Sequence, residues 1–370
     1  MVWHRLTEHL QVVYGFALAL GIVLVLTPAV GSAARHLRLV ERPRERERDT
    51  RDVPRLGGLA IFLGVLVPAL AFLPLGGSMR GILLGAAVAT TFGAVDDFRG
   101  LEWWQKLVGQ FGAASIPAGF GVWVHQFTFP VLGVHTFHEW VGAPLTVVGI
   151  VAVMNMVNFL DGLDGLAAGV CAISGATFAV IELSLGRFGP AILAATVCGA
   201  SLGFLRHNFY PARIFMGDSG ALLLGYTLAA ISVEGLLKTA ALATLVLPLL
   251  VLAVPVLDTS FVIAKRLRLG EPVYQADARH LHHRFLRIGF SPRRAVLYLW
   301  AWCGTLALAA LATRFAPPHH HGRWEPRNVA IDAVAAVAAI GFSLYVVFLL
   351  ELVKLTSIRS RRRASARRAA

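Results

Sequence analysis

The sequence has little charge and few cysteines, and it lacks several motifs that would mark a common soluble or proteolytic class. Only 15% of its 370 residues are charged while 56% are hydrophobic, which is far more apolar than a soluble globular chain. Its three cysteines, Cys171, Cys198 and Cys303, match no CxxC or zinc-ligand spacing, so they read as small apolar packing residues. The absence of an HExxH sequence argues against an intramembrane metalloprotease.

Long apolar segments fill most of the chain, whose mean hydropathy is +0.67. A helix needs about 20 apolar residues to cross a bilayer. The pattern therefore predicts an all-α, polytopic membrane protein with about eleven transmembrane helices. The first segment lacks an A-x-A-like cleavage site and reads as a retained helix. The predicted segments are 12–30, 57–75, 80–95, 104–124, 142–160, 165–185, 188–205, 219–237, 240–263, 294–313 and 328–352.

The net charge of +13 is distributed unevenly between the two sides of these segments. Counting Arg294, the loops on one side and the C-terminal tail hold 27 of the 34 Lys and Arg residues. This placement indicates a cytoplasmic side rather than a nucleic-acid partner, with the N-terminus outside and the C-terminus inside. We expect one catalytic transmembrane domain, 1–352, followed by a basic cytoplasmic tail, 353–370. Its cytoplasmic loops would be 31–56, 96–106, 161–165, 206–218 and 264–293.

Acidic, amide and histidine side chains gather at the ends of the segments on this cytoplasmic side. No segment carries an acidic or basic residue near its centre, which argues against a proton-coupled transporter and for a chemical site at the membrane surface. The candidates are Asp96 and Asp97 after the third segment, Asn155, Asn158, Asp161 and Asp164 at the end of the fifth, Asp218 before the eighth, and His280, His282, His283 and Arg284 in the largest loop.

Each of these clusters also has a purely structural interpretation. Asp96 and Asp97 could end a helix, DGLDG could be a turn, and GDSG could cap a helix start. Two adjacent acids at a helix C-terminus oppose the helix dipole, however, so stability alone explains them poorly. Acids would repel a phosphorylated ligand unless a divalent cation such as Mg²⁺ lay between them. The HLHHR sequence suits an anionic group better than zinc, because no fourth zinc ligand is evident.

Six motifs in order resemble the polyprenyl-phosphate N-acetylhexosamine-1-phosphate transferases of glycosyltransferase family 4. They are PRLGG, VDDFRGL, NMVNFLDGLDGLAAG, FMGDSGALLLG, VPVLDT and HLHHRF, between residues 53 and 291. The resemblance implies transfer of a sugar 1-phosphate from a UDP-sugar to undecaprenyl phosphate, releasing UMP. HLHHRF is more similar to the branch that uses UDP-GlcNAc and begins teichoic acid, lipopolysaccharide or other cell-wall polymers. Alternatives are another UDP-N-acetylhexosamine, UDP-MurNAc-pentapeptide, or a lipid-linked sugar transporter.

The resemblance also implies a role for each candidate residue and a place for the reaction. The cofactor would be Mg²⁺, or Mn²⁺ in its place. The site would lie at the cytoplasmic face of the plasma membrane, among its lipids. A homodimer is one possible assembly. Asp218 and Asn158 would ligate the metal and Asp161 would support it. Asp164 and Leu163 would meet the uracil edge, Phe215 would stack on its ring, and Asn155 and His280 would also contact the nucleotide or diphosphate. Asp96 and Asp97 would receive the lipid phosphate, and His282, His283 and Arg284 would close over the diphosphate or sugar.

One departure from the family lies before PRLGG, where relatives carry a lysine and a histidine. This chain has Glu47 and Asp49 near those positions. Arg46, Arg48 and Arg51 are the candidates to supply the missing positive charge.

Overall fold

A computed structural model describes residues 2–41, 52–129, 133–236, 246–270, 280–317, 319–320 and 323–369. The described chain is mostly helical, as the apolar segments predict. Its helices are α1 Val2–Glu8, α2 Gln11–His36, α3 Gly57–Phe72, α4 Gly77–Arg99, α5 Trp103–Gly119, α6 Glu139–Leu160, α7 Leu166–Leu185, α8 Phe188–Asn208, α9 Gly217–Ile231, α10 Val246–Val251, α11 Ala253–Leu269, α12 Leu281–Arg287, α13 Pro292–Phe315 and α14 Pro326–Ala369.

In the described residues, three short antiparallel strand pairs lie between the helices. They are β1 Val40–Glu41 with β2 Val53–Pro54, β3 Gln126–Phe129 with β4 Gly133–Thr136, and β5 His319–His320 with β6 Arg323–Trp324. The first pair holds the chain entering α3 against the chain leaving α2. These strands therefore hold neighbouring segments together, and the described part of the chain contains no larger sheet.

Seven of the described helices are long and apolar enough to cross a membrane: α2, α4, α6, α7, α8, α13 and the 326–350 part of α14. The other predicted segments form shorter helices. The segment 57–75 ends as a helix at Phe72, and the segment 104–124 ends at Gly119. The segment 240–263 lies partly outside the described residues, and its helix is interrupted at Leu252. Helix α14 continues through the predicted tail.

Helices α7 and α8 form the centre of the bundle. More than three quarters of the apolar window of each is buried. Helix α2 packs on α8, while α9 packs on α4 and α6. A second apolar cluster joins α12 and α13 to the end of α6 and the start of α7. The three cysteines are free and buried, which confirms their interpretation as packing residues.

A tight hairpin between α4 and α5 brings two charged positions together. Gly100 ends α4 in the left-handed conformation, which glycine adopts without strain. Glu102 then begins α5 with a capping box, in which the Gln105 side chain accepts a hydrogen bond from the Glu102 backbone N–H at 3.0 Å. This short connection returns Lys106 to the side of Asp96.

Candidate active site

Asp97 binds the start of helix α9 from the last turn of helix α4. Its carboxylate accepts hydrogen bonds from the backbone N–H groups of Asp218, at 2.8 Å, and Ser219, at 3.1 Å, and from Ser219 Oγ at 2.8 Å. The guanidinium of Arg55 lies 3.5 Å away. The unsatisfied N–H groups and positive end of α9 therefore stabilise a carboxylate that the dipole of its own helix opposes.

Asp96 and Asp218 are joined by Lys106. The Lys106 ammonium group lies 3.0 Å from Asp218 Oδ2 and also contacts Asp96 Oδ2. The other Asp96 oxygen accepts a hydrogen bond from the backbone N–H of Leu101 at 2.7 Å. One half-buried cation thus holds two carboxylates from different helices at the same end of the bundle.

Lys106 lies at the end of the predicted cytoplasmic loop 96–106, and the motifs assign it no role of its own. A signal was nevertheless present, because Lys106 is the one charged residue in the predicted apolar segment 104–124. A cation at the edge of such a segment is costly unless it is paired. Lys106 therefore joins the candidate residues.

Asp161 and Asp164 lie in the turn between α6 and α7, close to this cluster. Burial raises the pKa of Asp161 well above its ordinary value, and neighbouring carboxylates, that of Asp218 first among them, raise it further. Asp164 Oδ2 accepts a hydrogen bond from the backbone N–H of Ala212 at 2.8 Å. The DGLDG turn is therefore tied to the segment that leads into α9.

The remaining candidates on this side occupy three different surroundings. Asn155 pairs with Gln110 of α5, with its Nδ2 2.6 Å from Gln110 Oε1, so this amide links two helices. Asn158 is half-buried one turn further along α6, and Leu163 is buried in the second apolar cluster. Phe215 is half-buried, and its backbone N–H donates to Pro54 O at 2.8 Å, which holds the PRLGG motif against FMGDSG.

His280 is anchored by an aspartate to which the sequence alone assigns no role. Its Nδ1 lies 2.9 Å from Oδ2 of Asp258, which is buried in α11. The other Asp258 oxygen accepts the backbone N–H of Leu281 at 2.7 Å. Asp258 belongs to the VPVLDT motif, so the motif itself was the signal.

The other members of HLHHR spread over α12. His282 is 1% exposed, and its Nε2 would lie 2.2 Å from a Cβ built on Gly162, so only a glycine fits in the DGLDG turn there. Burial lowers the pKa of His282 to about 3, and the neighbouring histidines add to the effect. His283 is half-buried. The Arg284 guanidinium lies 4.8 Å from the centre of the Phe261 ring on α11.

The oxygen-rich cluster has the chemistry of a hard cation site. Across the described ranges, no three His, Cys, Asp or Glu side chains are arranged to hold a metal ion by themselves. Mg²⁺ commonly takes only one or two protein carboxylates and completes its shell with phosphate and water. Asp161, Asp218 and Asn158 offer donors of that kind, so the residues fit this ion. Arg46, Arg48 and Arg51, together with Glu47 and Asp49, lie outside the described residues.

Comparison with known proteins gives consistent matches over most of the chain. Residues 79–236 match the family described as Glycosyl transferase family 4. A Bacillus subtilis (strain 168) protein, named a probable undecaprenyl-phosphate N-acetylglucosaminyl 1-phosphate transferase, is 37% identical over 83% of this chain and 86% of its own. A Mycobacterium leprae decaprenyl-phosphate N-acetylglucosaminephosphotransferase is 35% identical over 85% of this chain and 87% of its own. A Desulforudis audaxviator phospho-N-acetylmuramoyl-pentapeptide-transferase is 33% identical over 79% of this chain and 94% of its own.

These relatives are named as transferases, and most of the chain aligns with each of them. The described chain contains seven helices that are long and apolar enough to cross a membrane. The chain is a multi-pass membrane protein, and it belongs to glycosyl transferase family 4, the polyprenyl-phosphate N-acetylhexosamine-1-phosphate transferases.

Proposed function

We propose that the protein transfers GlcNAc-1-phosphate from UDP-GlcNAc to undecaprenyl phosphate or a similar polyprenyl phosphate, releasing UMP. The observation that carries this proposal is the cluster in which Lys106 joins Asp96 and Asp218 while Asp97 caps α9. The names of the relatives from Bacillus and Mycobacterium support the same donor sugar and lipid class. The reaction would begin a cell-envelope polymer.

The reaction joins two anions, and this determines what the residues must do. An oxygen of the lipid phosphate attacks the phosphorus that bears the sugar, and the bond from that phosphorus to the UMP oxygen breaks, with its electron pair leaving on UMP. A phosphomonoester has a second pKa of about 6, so it is largely a dianion at neutral pH and needs little help from a base. The larger barrier is charge repulsion, which cationic groups lower by stabilisation and alignment.

Within this proposal, the residues divide by their position. Asp218 and Asn158 would hold Mg²⁺ or Mn²⁺, with Asp161 beside them, and the ion would neutralise the diphosphate when bound. Lys106 and Arg55 are the cations that already face the carboxylates. Asp96 and Asp97 would position the lipid phosphate.

The donor would lie between the DGLDG turn and the FMGDSG motif. Asp164 and Leu163 would meet the uracil edge and Phe215 would stack on the ring, because the tie from Asp164 to Ala212 keeps these two segments adjacent. His280, His282, His283 and Arg284 would line the diphosphate and sugar side, and Asn155 would support α6 through Gln110.

The proposal also covers the number of membrane spans and the side of the membrane on which each terminus lies. Eleven spans, an outer N-terminus and a cytoplasmic C-terminus would place the cluster at the cytoplasmic face of the plasma membrane, where nucleotide sugars and lipid head groups meet. The transmembrane domain would be 1–352, and 353–370 would be a basic helical extension of α14 near anionic lipid.

A related donor is the second candidate. The relative named a phospho-N-acetylmuramoyl-pentapeptide-transferase matches almost its whole length to this chain. UDP-MurNAc-pentapeptide and other UDP-N-acetylhexosamines therefore belong in the same assay.

The test is UMP release by purified protein in detergent, with undecaprenyl phosphate, Mg²⁺ and a panel of UDP-sugars. We expect UDP-GlcNAc to give the highest kcat/KM, EDTA to stop turnover, and Asp218→Ala to lower kcat/KM by about 100-fold or more. Asp332→Ala is the matched control, because Asp332 on α14 accepts a hydrogen bond from Thr313 on α13, outside this cluster. Folded protein that releases no UMP from any sugar would contradict the proposal.

A further inference from the structure

Asp258 connects helix α11 to the histidine motif through both of its carboxylate oxygens. One oxygen lies 2.9 Å from His280 Nδ1, and the other lies 2.7 Å from the backbone nitrogen of Leu281. Asp258 is 1% exposed and His280 is 7% exposed, so both groups of this pair are removed from water. Such a carboxylate is satisfied only while both donors stay in place.

The geometry fixes which ring nitrogen of His280 carries the proton. An ionised carboxylate only accepts hydrogen bonds, so His280 Nδ1 must donate to Asp258. Nε2 is then the ring nitrogen left to meet a ligand. Carboxylates that bond a functional histidine in this way set both its tautomer and the orientation of its ring.

The surroundings of His280 hold its ring next to the proposed site. The Phe159 ring, near the end of α6, lies 5.4 Å from the His280 ring, and the His282 ring lies parallel to it at 5.8 Å. Within the described residues, the titratable groups that face His280 are therefore Asp258 on α11 and His282 on α12, with His283 beside His282.

We propose that Asp258 is a positioning residue that acts on the reaction through His280. This inference rests on the proposed function, in which His280 lines the diphosphate and sugar side of the donor. Asp258 directs the His280 ring so that its unprotonated Nε2 accepts a hydrogen bond from a hydroxyl or amide N–H group of the sugar. By holding the first N–H of α12, it also sets the position of His282 against Gly162.

Asp258→Asn separates this role from simple capping. The asparagine oxygen can still accept the Leu281 N–H, but its NH₂ group cannot accept a hydrogen bond from His280 Nδ1. The His280 ring must then carry its proton on Nε2. We expect kcat/KM for UDP-GlcNAc to fall about 10- to 100-fold, as when the carboxylate partner of a functional histidine is lost.

The test combines a double-mutant cycle with a spectroscopic readout. In a His280→Ala background, Asp258→Asn should lower kcat/KM by less than about twofold more, because residues that act as one unit are not additive. The ¹⁵N shifts of the His280 ring, assigned from the signal lost in His280→Ala, should show a protonated Nδ1 in the wild type and a protonated Nε2 in Asp258→Asn. Asp332→Asn is the matched control and should change neither readout.

Several results would overturn the inference. A wild-type His280 ring protonated on Nε2 would do so without any variant, and so would Asp258→Asn with the wild-type rate. If the effects of Asp258→Asn and His280→Ala on kcat/KM multiply in the double variant, Asp258 supports the fold and does not act through His280. If Asp258→Asn does not fold, Asp258→Glu, which keeps the acceptor charge, must retain the Nδ1 proton. The ring measurement needs no turnover, so a failure of the proposed function would be seen separately.

Discussion

Lys106 is the side chain that allows Asp96 and Asp218 to share one end of the helical bundle. Two carboxylates this close repel each other, and the ammonium group between them converts repulsion into two ion pairs. Because Lys106 is half-buried, the pairs are screened less than surface pairs. The same cation is well placed to meet a phosphate that enters the cluster.

Replacing Lys106 by methionine removes this charge and keeps much of the side-chain volume. We expect Lys106→Met to lower kcat/KM by about 100-fold or more, because it removes an electrostatic contact from the cluster. Lys106→Arg should retain more activity than Lys106→Met. Arg99→Gln, which changes an exposed basic residue of α4, is the matched control and should stay near the wild-type rate. Lys106→Met with more than half of the wild-type kcat/KM would remove the lysine from the site.

His282 differs from the charged Lys106, because burial keeps the His282 ring neutral. Its pKa is lowered to about 3, whereas a histidine in an unfolded chain has a pKa of about 6.5. Between these two values the unfolded chain binds the extra proton, so the free energy of unfolding falls as the pH falls. His282 therefore contributes shape and hydrogen-bonding capacity to the site, and it contributes no positive charge at neutral pH.

This difference predicts a pH dependence of stability. Between pH 6.5 and pH 5, titration of His282 should lower the free energy of unfolding of the wild type by about 1 to 2 kcal/mol. His282→Gln should lose that part of the dependence, while His36→Gln, at the exposed end of α2, should keep it. The measurement is the thermal unfolding midpoint in detergent at both pH values. Equal losses for the wild type and His282→Gln would contradict the neutral, buried ring.

At the scale of elements, the contact between α4 and α9 assembles the carboxylate cluster. A Cβ built on Gly93 would lie 2.5 Å from Ser219 Cα, so the absence of a side chain lets the two helices touch. One turn further along α4, Asp97 reaches the N–H groups of α9. The cap and the close approach therefore depend on each other.

Gly93→Ala should separate the two helices and weaken the cap. We expect it to lower the free energy of unfolding by about 1 to 3 kcal/mol, as overpacking does, and to reduce kcat/KM as Asp97 moves away from α9. Gly149→Ala in α6 is the control, since a Cβ there meets nothing within 4 Å. That variant should be neutral or slightly stabilised. Thermal unfolding measures the effect on stability, and UMP release measures the effect on activity. If Gly93→Ala matches the wild type in both, the contact between α4 and α9 is loose.

The sequence predicted the elements and part of the site for identifiable reasons. Hydrophobic runs give the helices, and the carboxylates at their ends on one side must lie near one another, as Asp97 and Asp218 do. The role of Lys106 and the pairing of Asn155 with Gln110 depend on which helix faces which, and apolar patterning of buried helices carries no such information. Helix lengths were overestimated at α3 and α5, because apolar residues continue beyond the last helical turn.

At the scale of the whole molecule, the proposed orientation is open to a direct test. The three native cysteines are buried, so the labelling of an introduced cysteine can be measured with little labelling of the native ones. We expect a membrane-impermeant maleimide to label Glu8→Cys in intact cells and to label Arg287→Cys only after the membrane is opened. Both positions are exposed in the described chain, so the comparison is matched. The reverse pattern would invert the topology.

The long separation between the partners at the carboxylate cluster has a consequence for biosynthesis. Asp97 is translated 121 residues before Asp218, whose backbone N–H donates a hydrogen bond to it. Lys106 is translated 112 residues before Asp218, whose carboxylate it binds. While α5 to α8 enter the membrane, Asp97 therefore lacks the N–H groups of α9 that stabilise its carboxylate. A chain that stops after α8 contains Asp96, Asp97, Lys106 and Asp161, yet it lacks Asp218, to which Asp97 and Lys106 bind. Insertion of α9 is thus the step that brings Asp218 to Asp97 and Lys106 and completes the carboxylate cluster.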